Sequence, residues 1–187
     1  AVVVSVMDYI SASGGEGNRP MRVFPLAVIH SRYDVGKRAY TAAMMVEMIH
    51  IASLVKDVVV DNSDTRHGKP TVHSRWNARV SVLSGDYILA RAYSVGVQSA
   101  QFDLVSYITA GIAELVEGEL IQSEHNERRD VTRESYLDII FQKTAVLMGV
   151  SSGAWEMASG SEATPVGRAR QVCVYLGTAL SFEPALP

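Results

Sequence analysis

Asp57 and Asp61 stand one helical turn apart at the end of an apolar stretch, and the basic residues Arg66 and His67 follow closely, ahead of Gly68, Lys69 and Pro70. Carboxylates at that spacing point the same way along a helix and can share a hard divalent cation. An arginine just beyond them can meet phosphate oxygens in a forked, charge-assisted contact, and a histidine can do so more weakly and with a dependence on pH. The combination is the chemistry of a diphosphate held through metal ions. Two acids are also disfavoured at a helix C-terminus, where the peptide dipoles present partial negative charge, so their presence there asks for a cation. Other phosphate and metal motifs fail on their own terms. Gly17-Asn18-Arg19 does not supply the lysine and serine or threonine of a P-loop. A calcium loop starting at Asp61 would meet Arg66 and Val72 where it needs glycine and glutamate. One cysteine and scattered histidines do not make a zinc site.

The elements that must position these residues read as helices. From Ala39 to about Val60, apolar residues fall on nearly every face (Ala42, Ala43, Met45, Val46, Ile49, Ala52, Leu54, Val55, Val58), which predicts a central buried helix carrying the two acids at its end. The β-branched run Val58-Val59-Val60 is locally ambiguous with strand, and the helical pattern before it decides for helix. Ser11 to Pro20, rich in glycine, predicts a loop feeding a helix that begins near Pro20. A polar turn spans Asn62 to Pro70, a further helix runs from about Asn77 to Val97, and another follows Phe102 until the charged Glu124 to Asp130, expected to be a solvated loop. Thr132, Glu134 and Ser135 open a helix through Leu147, Gly160 to Pro165 connects, and a last helix covers roughly Val166 to Phe182. With no alternation long enough to build a sheet, the fold class is all-α.

The chain has 187 residues and 48% hydrophobic content, enough for one substantial core, and residues 1–187 read as a single domain. Net charge is −3, from 17 basic and 20 acidic residues, which gives no basic field for nucleic acid. Any phosphate chemistry must therefore be local. The lone Cys173 cannot form an internal disulfide and fits a reducing compartment. The apolar opening Ala1 to Met7 is short, lacks a basic leader and runs into Asp8, so it reads poorly as a signal peptide. No apolar run approaches the ~18 residues of a membrane span. These features predict a soluble, cytoplasmic protein.

The order Lys56-Asp57-Val58-x-x-Asp61, then Arg66-His67-Gly68, resembles the first aspartate-rich region of the trans-isoprenyl (polyprenyl) diphosphate synthases, which reads His-Asp-Asp-x-x-Asp and then Arg-Arg-Gly. Gly14-Gly15-Glu16-Gly17-Asn18-Arg19-Pro20 is similar to that family's Gly-Gly-Lys-x-x-Arg-Pro. His50 falls on its pocket histidine, Gly85-Asp86-Tyr87 on its next helix, and Lys143-Thr144 on the pair that contacts the allylic diphosphate. The resemblance runs from about Gly14 to Ala179.

It implies a helical bundle of the isoprenoid synthase type and a Mg²⁺-dependent condensation of isopentenyl diphosphate with an allylic diphosphate. Asp57 and Asp61 would hold metal, Lys143 and Thr144 would be catalytic, and Arg19, His50, Arg66 and His67 would bind the two diphosphates. Ala52 and Ser53, small where short-chain members carry aromatic floors, imply a long product. The chain would work as a homodimer or beside a competent synthase subunit. Its departures imply a second expectation. Val58 stands where the middle acid belongs, Glu16 replaces a lysine, His67 replaces an arginine, and Lys56 can put a cation where a metal would sit. Pro184 and Ala185 fall on the first acids of the family's second acidic motif. An inactive or strongly impaired synthase is therefore expected, the alternatives being a non-catalytic subunit of a heteromeric synthase or a decayed fragment.

Overall fold

A computed structural model describes residues 2–13, 36–66, 68–128 and 146–158. The helices expected near Pro20 and over Val166 to Phe182, the start of the helix at Thr132, the connector at Gly160 and the thiol of Cys173 lie outside the described residues. What is described is almost entirely helical. In chain order it comprises α1 (Val2–Ser13), α2 (Lys37–Val60), a minimal antiparallel hairpin of β1 (Thr65–Arg66) and β2 (Lys69–Pro70), α3 (Val72–Arg75), α4 (Ala78–Gln98), α5 (Phe102–Arg128) and α6 (Val146–Ala158). In the hairpin Thr65 pairs with Pro70 and Arg66 with Lys69, and Gly68 takes the left-handed φ of 75° that the reversal needs.

Helix α2 is the organising element. It packs most extensively on α4, and also on α6, which in turn packs on α5. Its Ala42, Met45, Val46 and Ile49 join Ala92 of α4, Leu104, Ile108 and Leu115 of α5, and Val150 and Ala154 of α6 in the main core. Close approach depends on glycine. A methyl group on Gly96 would lie 2.5 Å from Val105 Cγ2 and 2.7 Å from Met45 Sδ, so α4 can meet α2 and α5 there only without a side chain. A second, smaller cluster sits toward the other end of α2, where Val6 of α1 meets Val55 and Val72.

Two boundaries differ from expectation. The charged run beginning at Glu124 stays in α5 through Arg128, where a loop was predicted. Glutamate and arginine are good helix formers and need only a solvated face to continue an existing helix. Ser11, Ala12 and Ser13, expected to open the first loop, are the last residues of α1, a helix fixed by packing of Val6. Elsewhere local signals hold. Asn77 caps α4, its side chain accepting from Val80 N at 2.8 Å. Among the described residues no helix is long and apolar enough to cross a membrane.

Candidate functional site

The end of α2 sets the site. Asp61 is its C-cap and donates its N–H to Asp57 O at 2.8 Å. Asn62 then takes a left-handed φ of 47°, with Asn62 N bonded to Val59 O and Ser63 N to Val58 O, the paired bonds of a Schellman terminus. Asparagine tolerates that conformation better than most side chains. The helix therefore stops with Asp57 and Asp61 stacked on one face. Asp57 is half-buried and Asp61 exposed.

The hairpin beyond is closed at its base by Thr71. Thr71 N donates to Asp64 O at 2.9 Å and Thr71 Oγ1 to Ser63 O at 2.9 Å, while Thr71 Oγ1 accepts from Ser74 N at the start of α3. Helix α1 braces it from the side, with Tyr9 Oη donating to Pro70 O at 2.6 Å and Lys69 Nζ to Ala12 O at 3.2 Å. The Arg75 guanidinium lies 4.4 Å from the Tyr9 ring centre, and Tyr9 meets Trp76 edge-on at 5.4 Å. Lys69 is thus engaged by a helix end. Arg66 is exposed and makes no ion pair among the described residues, leaving its guanidinium available to an anion.

Below the acids, Glu47, His50, Leu54 and Asp57 follow one another at steps of three or four residues and form a half-buried stripe down α2. Ser53 is half-buried and donates Oγ to His50 O at 2.9 Å. Ala52 is buried against α4, its carbonyl oxygen facing the bare Cα of Gly85. Arg19, His67, Lys143, Thr144 and Glu16 lie outside the described residues, as do Pro184 and Ala185. The structure thus brings Asp57, Asp61, His50 and Ser53 onto one helix and hangs Arg66 on the hairpin beyond.

Lys56 does not lie with the acids. It reaches across to α4, where Nζ pairs with Asp86 Oδ1 at 2.5 Å and the stem lies over Gly85. The partnership was not visible in sequence, since it joins different helices. Glu47 was also passed over, an acid inside an apolar pattern. Its Oε2 is buried without a hydrogen-bond partner among the described residues, and burial raises the carboxyl above its ordinary value. A carboxyl that holds its proton more tightly folded than unfolded contributes stability below its unfolded pKa and loses it as pH rises through the folded value. Relative to Glu47→Gln, the wild-type chain should therefore lose stability as pH rises above the ordinary glutamate value of about 4.3 and through the raised folded value. The loss, read by urea denaturation, should stay under about 1 kcal/mol because the side chain is only half-buried.

The donors at the end of α2 suit Mg²⁺. That ion prefers hard oxygen and is commonly held by one or two carboxylates together with substrate phosphates. No group of three or more acids, histidines or cysteines gathers to hold a metal among the described residues. Asp57 and Asp61 therefore fit an ion that arrives with a diphosphate, rather than a closed protein cage.

The family model for polyprenyl synthetase matches residues 1–182. The chain belongs to the polyprenyl synthetase family. It is 34% identical to an all-trans-nonaprenyl-diphosphate synthase (geranyl-diphosphate specific) of Rhodobacter capsulatus, over 86% of this chain and 49% of that protein. It is 33% identical to heptaprenyl diphosphate synthase component 2 of Bacillus subtilis, over 82% of this chain and 44% of that protein. Among solved structures, the polyprenyl synthase of Caulobacter crescentus, complexed with calcium and isoprenyl diphosphate, superposes with a TM-score of 0.82 at 29% identity, covering 93% of this chain and 54% of that one. The chain thus spans about half the length of the curated relatives it matches. The all-α isoprenoid synthase fold expected from the motifs is the fold observed.

Proposed function

We propose that this chain forms the allylic-diphosphate half of a trans-polyprenyl diphosphate synthase site. Asp57 and Asp61 would hold Mg²⁺ against the diphosphate, and Arg66 would meet its free oxygens. The observation that supports this reading is the pair of carboxylates on one face at the end of a buried helix, followed by a braced hairpin presenting an arginine that no acid among the described residues occupies. Mg²⁺ bound there supplies Lewis-acid neutralisation of charge on a departing diphosphate. The chain's own contribution is position. The Schellman terminus fixes Asp61 and the Thr71 bonds fix the base of the hairpin, and the small Ser53 would leave room for a long product. Arg19, His67, Lys143 and Thr144 take their roles from the resemblance, as substrate contacts for isopentenyl diphosphate and the allylic partner.

Turnover by the isolated chain should be weak or absent, because Glu16 places an acid where the isopentenyl pocket wants a lysine, and like charges repel. The likeness to a protein named as component 2 of a heptaprenyl synthase favours a second reading, a subunit that acts beside another chain. Calorimetry with a non-hydrolysable allylic thiodiphosphate tests the first reading. Binding that requires Mg²⁺ is the expected result, and no binding by a chain folded by circular dichroism would overturn it. Product from labelled isopentenyl diphosphate only after addition of a competent synthase subunit would establish the second.

A further inference from the structure

Lys56 immediately precedes Asp57, so its α-carbon is one peptide, about 3.8 Å, from that of a proposed metal ligand. A free ammonium so placed would repel a divalent cation. The structure gives it a fixed partner instead. The Lys56 stem crosses Gly85, where a side chain would bring Cβ to 2.7 Å from Lys56 Cγ and 3.0 Å from Lys56 Cε, and Nζ ends 2.5 Å from Asp86 Oδ1. Glycine and aspartate side by side on α4 thus make a track and a terminus for one lysine. The two side chains are 34% and 53% exposed, too open for the pair to matter much as a structural bridge. Its charges are nevertheless carried by the residue that adjoins Asp57 and by the helix on which α2 packs most extensively.

We propose that the Lys56–Asp86 ion pair sets the Mg²⁺ requirement of the diphosphate site by cancelling, at the position next to Asp57, one positive charge against one negative. This inference rests on the diphosphate reading above. Without the ammonium, Asp86 adds to the acid field and Mg²⁺ binds more tightly. Without the Asp86 carboxylate, Lys56 stands alone beside Asp57, and Mg²⁺ binds more weakly. A unit charge roughly 8–10 Å from a divalent ion in a water-like dielectric changes its affinity about threefold to fivefold at low salt. Screening at about 0.5 M salt should shrink the effect.

The two partners of one ion pair should thus shift the same equilibrium in opposite directions, which no purely structural latch would do. Calorimetric titration of the full chain with the allylic thiodiphosphate, at a series of Mg²⁺ concentrations and low salt, reads this directly. Lys56→Met should lower the half-saturating Mg²⁺ about threefold, with Lys56→Gln as a second neutral replacement. Asp86→Asn should raise it by a similar factor. The double variant should return near wild type, and Lys56→Arg should leave it unchanged. Shifts of Lys56→Met and Asp86→Asn in the same direction, or no shift in variants folded by circular dichroism, would overturn the inference and leave the diphosphate reading standing. A wild-type chain that binds no diphosphate at any Mg²⁺ concentration would remove that reading and this inference with it.

Discussion

Replacing Asp57 by asparagine should weaken Mg²⁺-dependent binding of an allylic diphosphate by about a hundredfold or more. Asparagine keeps the size and one oxygen but removes the negative charge, and a hard divalent ion that must shed water depends on that charge. Even outer-shell partners of metal ligands cost about 10- to 100-fold when lost, so a direct ligand should cost at least as much. Asp61→Asn should act in the same direction. If both carboxylates hold one ion, the double variant should be little worse than either single one, because residues that act as a unit are not additive. Asp64→Asn is the control, since Asp64 is an exposed acid whose backbone carbonyl, rather than its side chain, accepts the bonds from Thr71 and Ser74. Calorimetry at fixed Mg²⁺ measures all four. Near-wild-type binding in Asp57→Asn would remove the end of α2 as the metal site.

How much of this was legible beforehand depends on whether a feature was local. The apolar pattern from Ala42 to Val58 announced α2, and Asn77 announced the start of α4, because periodicity and capping act over a few residues. The placement of Asp57 and Asp61 at the end of that helix was legible for the same reason. Helix α1 was not, since Val2, Val3 and Val4 are β-branched and the segment is short. Its helix is held by the contact of Val6 with Val55 and Val72, residues far along the chain. The end of α5 was misjudged because a run of charges from Glu124 resembles a loop in composition while being compatible with a helix. In the site, the destination of Lys56 was illegible. Its reach across Gly85 to Asp86 is fixed by how α2 and α4 cross, which no single stretch of sequence encodes.

The geometry of α2 also changes what Val58 means. In sequence it reads as a lost metal ligand, a hydrocarbon where the family motif has its middle acid. In the structure Val58 is only 5% exposed, while Asp57 is half-buried and Asp61 open to solvent. Consecutive helical residues are turned about 100° from one another, so position 58 departs from the direction of Asp57 and faces the interior. Restoring the acid by Val58→Asp should therefore cost stability without improving the site. It removes buried apolar surface and places a carboxyl where water is excluded, which together should destabilise the chain by about 3 to 5 kcal/mol. Urea denaturation reads that cost. The same variant, assayed under conditions where it remains folded, should show Mg²⁺-dependent diphosphate binding within about twofold of wild type and little gain in turnover, because Asp57 and Asp61 are unchanged and Glu16 still opposes the second diphosphate. Substantial activity, or a large drop in the Mg²⁺ required, would mean that the side chain at 58 reaches the cation and belongs to the metal site.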